Sequence, residues 1–176
     1  MSQVLAPFNL NRWIEENREL LKPPVGNKNL YFDAKDFIVM IVGGPNSRKD
    51  YHYNETEELF FQIEGDISVK TQQGGKMVEV KIKQGEMFLL PARVPHSPIR
   101  PAGSIGLVVE QKRKPHHKDG LMWFSEKENA LLYEEYFHLN NIEKDFLPIF
   151  KKFYQSEKLR TCPISGEIME ADERYT

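Results

Sequence analysis

The sequence predicts a mainly-β protein: one sandwich or barrel, with a helix on its N-terminal side and a helical appendage on its C-terminal side. Two observations predict it. Between about residue 30 and residue 124, short apolar or alternating runs recur between glycine, proline and asparagine turn signals, the texture of a sandwich or barrel. On either side of that stretch the apolar residues fall at helical spacing instead.

The first element is helical. Leu10, Trp13, Ile14, Asn17 and Leu21 share one face, Asn9 is a suitable N-cap, and Pro23-Pro24 stops the helix before a loop from Val25. Phe37–Val42 is a continuous apolar strand ended by Gly43-Gly44-Pro45. Leu59–Ile63 and Ile67–Thr71 flank Glu64-Gly65-Asp66, a hairpin signal. Met77–Ile82 alternates with period two, Met87–Leu90 follows a turn at Gly85, and Ile105–Val109 closes the set. Lys112–Lys118 is a polar, charged connector. Leu131, Leu132, Tyr136 and Phe137 suggest a further helix within 126–160. Phe146, Ile149, Phe150 and Phe153 suggest another, with Asp145 as cap and Pro148 in its first turn. The chain thus reads as one domain over 1–176, with a core barrel at about 30–124 and a helical appendage at about 126–176.

Composition narrows the function classes. A length of 176 residues with 40% hydrophobic and 28% charged residues suits one globular core. A formal net charge of -2 argues against non-specific binding of nucleic acid. No apolar run approaches the roughly 18–20 residues of a membrane span, and the N-terminus lacks the basic and apolar regions of a secretory signal. The single cysteine, Cys162, excludes an intrachain disulfide. The expectation is a cytoplasmic protein without nucleic-acid or membrane partners.

His52, Glu58 and His96 are the candidate ligands of one metal ion. Two histidines and a carboxylate on one face leave coordination positions open for substrate and dioxygen, the arrangement expected of non-haem Fe(II) oxygenases. Zinc hydrolases use similar donors, usually with both histidines on one helix as H-E-x-x-H. That motif is absent, which favours iron and leaves zinc open. Glu55 and Glu57 are the neighbouring carboxylates; spacing prefers Glu58 and leaves those two toward solvent.

These stretches resemble the paired motifs of the cupin superfamily, whose barrels let inward-facing residues of distant strands meet at one metal. His52, Glu58 and Gly65 match the first motif, with Asn54 where a second histidine would stand. Gly85, Pro91 and His96 match the second, with Arg93 in place of its internal glycine and Arg100 in place of its final asparagine. Gly43–His52, Glu57–Gln62, Phe88–Pro91, Val94–Arg100, Lys22–Asn27 and Leu107–Glu110 more closely resemble the 3-hydroxyanthranilate 3,4-dioxygenase family, in order and spacing, over roughly residues 10–163.

That resemblance implies a cupin barrel with peripheral helices and one Fe(II) per chain. It implies ring opening of 3-hydroxyanthranilate by O2 to 2-amino-3-carboxymuconate semialdehyde, on the route from tryptophan to quinolinate and NAD. Arg48 and Arg100 match the family's carboxylate-binding arginines, and guanidinium is the side chain shaped for that task. Glu110 matches a glutamate that manages the phenol proton. Val25 and Asn27 match pocket positions beside the ring, and a homodimer is expected. Two readings compete: a cupin dioxygenase on a related aminophenol or catechol carboxylate, and a cupin that binds a ligand without turnover.

Relatives often carry a second, rubredoxin-like iron on two C-x-x-C pairs. Here those positions are Ser125, Glu128, Cys162 and Ser165, so no four-thiolate site is expected. Cys162 reads as a remnant, His116 and His117 as solvated connector residues, and His138 as a surface or packing residue. Arg93 reads as a surface charge, and the phenylalanine stripe of the last helix as packing.

Overall fold

The computed structural model describes residues 4–22, 26–46 and 48–176. Helix α1 (Leu10–Asn17) runs into a 3-10 turn and packs Ile14 and Leu21 against Ile41 and Ile105. The Asn9 side chain accepts a hydrogen bond from the Arg12 N–H at 2.9 Å, the expected cap. The following strands are β1 (Asn27–Asn29), β2 (Phe37–Gly43), β3 (Tyr51–Tyr53), β4 (Glu58–Glu64), β5 (Ile67–Gln73) and β6 (Lys76–Ile82). Then come β7 (Met87–Leu90), β8 (His96–Ile99), β9 (Ile105–Gln111), β10 (Asp119–Phe124) and β11 (Leu131–Phe137). Helices α2 (Ile142–Tyr154) and α3 (Glu157–Arg160) follow.

The strands form two antiparallel sheets, ordered β1-β2-β9-β4-β7 and β11-β10-β3-β8-β5-β6. This is the mainly-β architecture with terminal helices that the sequence predicts. Burial alternates along β4, where Glu58, Phe60 and Gln62 point inward, and along β5, where Ile67, Val69 and Thr71 do. Phe60, Ile67 and Val69 join Met40, Val42, Ile82, Leu90 and Val108 in the core between the sheets. The opposite face of the first sheet carries Val39, Val109, Leu59 and Leu89 in one register row. Ile41, Leu107, Phe61 and Met87 form the next.

The C-terminal part departs from expectation. Residues 131–137 are the strand β11, paired with β10 from Leu131 opposite Phe124 to Phe137 opposite Asp119. Their apolar residues suit either element, and pairing with the buried strand β10 decides for strand. Helix α2 begins at Ile142 with Asn141 as its cap, so Pro148 lies inside it and not in the first turn. Asp145 reaches back instead, accepting from the Asn140 and Asn141 N–H groups at 2.7 and 2.8 Å. The expected aromatic stripe does pack, with Trp123 of β10 stacked on Phe153 at 4.2 Å. No described helix is long and apolar enough to cross a membrane.

Candidate metal centre

His52 and His96 are register partners on β3 and β8 of one sheet, while Glu58 opens β4 of the other. Across the barrel interior their ligand atoms come within 4.8 Å of one another, and no other such group of three occurs among the described residues. Glu58 and His96 are buried; Glu57 is exposed, and Glu55 is occupied by the Lys118 N–H at 2.8 Å.

Partner chemistry fixes which ring nitrogens are free. The Val94 carbonyl, an acceptor only, lies 3.1 Å from His96 Nδ1, so Nδ1 carries the proton and Nε2 its lone pair. The Asp119 carboxylate lies 2.7 Å from Nε2 of His52, which fixes that proton and leaves Nδ1. His96 Nε2 stands 3.1 Å from Glu58 Oε2, yet that oxygen is buried without an aligned hydrogen bond. Two electron-rich atoms held this close need a cation or a proton between them. Burial is the largest influence and opposes charge on either group, but the partner's charge and hydrogen bonding, with smaller contributions from neighbouring groups, together outweigh it: Glu58 is held below the usual carboxylate range and His96 above the usual imidazole range. The orphaned oxygen and the two directed nitrogens therefore fit a metal ion.

Asn54 does not join this set. Its Oδ1 accepts from the Thr56 N–H at 3.0 Å and the Thr56 hydroxyl at 2.9 Å, closing the turn between β3 and β4. Arg93 is exposed at φ 66, the left-handed conformation that explains a glycine at the corresponding motif position.

The expected substrate residues fall into three groups. Arg100 and Glu110 adjoin the ligands. Glu110 on β9 is the register partner of Glu58, and burial followed by the Glu58 charge pushes its pKa up. Arg100 is buried, and among the described residues no carboxylate pairs with it. Its Nη1 approaches Gln62 Oε1 at 3.4 Å, and burial pulls its pKa down to about 10, so it stays cationic at neutral pH. Arg48 is held elsewhere, 3.3 Å from Asp50 and over the rings of Phe146 and Phe150. Phe146 in turn lies 5.6 Å from the His52 ring. Asn27 is exposed on β1 opposite Val42, and Val25 lies outside the described residues.

Four neighbours went unread in the sequence. Gly106 makes room for Arg100, because a Cβ there would sit 2.9 Å from Arg100 Nη1 and 2.7 Å from Gln62 Oε1. A glycine inside the apolar run Ile105–Val109, and a glutamine at the inward parity of β4, were the available signals. Asp119 and Arg113 carry no such signal. Arg113 belongs to the stretch read as a solvated connector, yet its side chain is only 9% exposed and binds both Asp119 and Glu110. The rest of that reading fits better, with His116 exposed and His138 Nδ1 donating to the His117 carbonyl at 3.1 Å.

Ser125, Glu128, Cys162 and Ser165 sit in two turns that the fold brings together. Ser125 Oγ and Cys162 Sγ both approach Glu128 Oε2, at 3.3 and 3.5 Å.

A family model described as 3-hydroxyanthranilic acid dioxygenase matches residues 1–154. The chain is 55% identical over 172 residues to 3-hydroxyanthranilate 3,4-dioxygenase of Xanthomonas oryzae pv. oryzae, covering 98% of this chain and 97% of that protein. It is 46% identical over 165 residues to the enzyme of the same name from Ruegeria pomeroyi, covering 93% and 91%. Among solved structures it is similar to a cupin-2 domain protein of Shewanella frigidimarina. That likeness has a TM-score of 0.47 and 16% identity, over 56% of this chain and 92% of the other. Matched along most of its length by the family model and by these relatives, the chain belongs to the 3-hydroxyanthranilate 3,4-dioxygenase family.

Proposed function

We propose that the chain is a ring-opening dioxygenase that converts 3-hydroxyanthranilate and O2 to 2-amino-3-carboxymuconate semialdehyde. It would hold one Fe(II) per chain on His52, Glu58 and His96. Bound iron supplies open positions for the substrate's phenol and amine and the electrons that let O2 react.

Arg100 carries the reading. A buried guanidinium with no described carboxylate partner is costly unless a ligand supplies the anion. It stands beside the metal ligands, where the Glu58 charge supports its own. Glu110 and Asp119 are already paired with Arg113, so an anionic ligand would complement Arg100 and a cation would complement Glu58. Glu110, with its raised affinity for a proton, suits the group that takes up the phenol proton. Arg48 is assigned a second carboxylate contact, which requires its contact with Asp50 to give way. Asn27 and Val25 are assigned to the pocket wall by family correspondence alone.

The same reading makes the chain one domain, cytoplasmic, acting on the route to quinolinate and NAD without nucleic-acid or membrane partners. Its formal charge of -2 is consistent with this. It also makes the protein a homodimer. In support, the face opposite the core holds two apolar register rows, of which Leu89 and Met87 are 53% and 65% exposed.

The test is protein loaded anaerobically with Fe(II), then given substrate and oxygen. Oxygen and 3-hydroxyanthranilate should disappear in about equal amounts as a new ultraviolet-visible chromophore grows. Tight binding with no oxygen uptake would instead make the chain a binding module. Turnover with Zn(II) but not Fe(II) would overturn the mechanism.

A further inference from the structure

Arg113 lies in the loop between β9 and β10, among residues whose side chains are mostly in solvent. Its own guanidinium turns inward and spends its donors on two carboxylates. Nε donates to both oxygens of Asp119 at 3.1 Å, and Nη2 donates to Asp119 Oδ2 at 2.7 Å. Nη1 donates to Glu110 Oε2 in a close contact. Asp119 Oδ2 is the oxygen that holds His52 Nε2 at 2.7 Å. Glu110 faces Glu58 across the β4–β9 ladder. One planar fork therefore joins the orienting partner of a metal ligand to the proton-managing carboxylate.

We propose that Arg113 is a positioning residue for the metal centre, fixing the His52 ring through Asp119 and the Glu110 carboxylate directly. Its effect on metal binding stands on geometry alone; its effect on turnover rests on the ring-opening reading above. A carboxylate behind a ligand histidine sets the ring's tautomer and angle, and losing such a partner typically costs about 10–100-fold in metal affinity. Asp119 can rotate about its own side-chain bonds unless something grips both of its oxygens, and Arg113 does so. A lysine has the charge but not the fork, so it cannot hold Asp119 at two oxygens and Glu110 together.

The same clamp ties residues six apart and so also closes a loop, which a test must separate from positioning. Arg113→Gln, Arg113→Lys and Asp119→Asn are compared with wild type and with Lys114→Ala, an exposed change in the same loop. Metal-free protein is titrated with Co(II), recording affinity and the visible spectrum of the bound ion, with melting temperature alongside. Asp119→Asn should weaken Co(II) binding about 10–100-fold. Arg113→Gln should weaken it by a smaller factor and change the Co(II) spectrum, with Arg113→Lys in between and Lys114→Ala unchanged. In the Fe(II) enzyme, Arg113→Gln should lower kcat more than it raises KM. Wild-type Co(II) affinity and spectrum in Arg113→Gln, with only a lower melting temperature, would reduce Arg113 to a loop clasp and overturn the proposal. If Arg113→Gln does not fold, a wild-type spectrum and affinity in Arg113→Lys would overturn it equally. Wild-type Fe(II) protein that leaves 3-hydroxyanthranilate untouched, while the Co(II) series behaves as expected, would sink the ring-opening reading and leave the positioning role standing.

Discussion

Two places in this molecule bring side chains from distant segments together, and among the described residues they differ in donor chemistry. In the barrel, β3, β4 and β8 bring two imidazoles and a carboxylate together, each with its tautomer or lone pairs directed inward. At the C-terminal end, the turns after Ser125 and Cys162 are near copies of each other. In each, the residue four positions on has a positive φ, 52 for Asn129 and 73 for Gly166, and its N–H bonds back to the first carbonyl. In each, the first N–H bonds to the carbonyl five positions on, at 2.8 Å. The side chains at the four positions are serine, glutamate, cysteine and serine. Hydroxyls and one thiol cannot replace four thiolates, so the Glu128 carboxylate gathers them by hydrogen bonds instead. Backbone arrangement and donor chemistry are separable.

Restoring the donors tests that separation with the largest expected effect. The triple change Ser125→Cys, Glu128→Cys and Ser165→Cys, beside native Cys162, should create a tetrahedral thiolate site. Zinc bound there should have a structural site's affinity, of order 10 kcal/mol or more. Metal analysis should find a second ion per chain, and melting temperature should become zinc-dependent. No second ion would mean that the hydrogen bonds around Glu128, and not the backbone, hold these turns together.

The reverse change at the other place comes next. Glu58→Ala removes the one charged ligand while leaving both histidines. Metal content should fall from one per chain toward zero and turnover should drop by more than about 10³-fold, the scale of losing several kcal/mol of metal-supplied stabilisation. Retained iron in Glu58→Ala would require a different carboxylate as ligand, and the comparison would lose its better half.

What the sequence made legible follows the same division. His52, Glu58 and His96 could be read because strand alternation and motif spacing put ligand types where a barrel needs them. Glu58 rather than Glu57 follows from inward parity on β4. Arg113 and Asp119 could not, since a run rich in lysine, arginine and histidine looks like any solvated loop. Only the three-dimensional return of β10 beside β3 puts Asp119 against His52. Residues 131–137 failed for a related reason: their local pattern allows a helix, and the neighbouring strand overrules it. Local patterns specify what a residue can do, and pairing partners specify where it does it.

A metal alone would not make the barrel site catalytic, and Arg100 is the feature that the C-terminal turns have no counterpart for. There Lys127, within the first turn, lies 3.1 Å from Glu167 of the second, and Lys49 lies 3.7 Å from Glu126 and 4.0 Å from Glu170, so both charges are already matched. Arg100 is buried beside Gln62 in space that Gly106 leaves open, with no described carboxylate within ion-pair distance. Arg100→Ala should leave iron content at one per chain, because Arg100 touches no ligand atom. It should remove a charge-assisted fork worth about 1.5–3 kcal/mol, lowering kcat/KM by roughly 10–150-fold, chiefly through KM. Arg100→Lys should recover only part of this, since an ammonium keeps the charge and loses the fork. Loss of iron in Arg100→Ala would show that the guanidinium shapes the metal centre itself. An unchanged KM with full iron would show that the carboxylate is read elsewhere, with Arg48 the next cation to test. Either result would move the boundary between holding the metal and choosing the substrate.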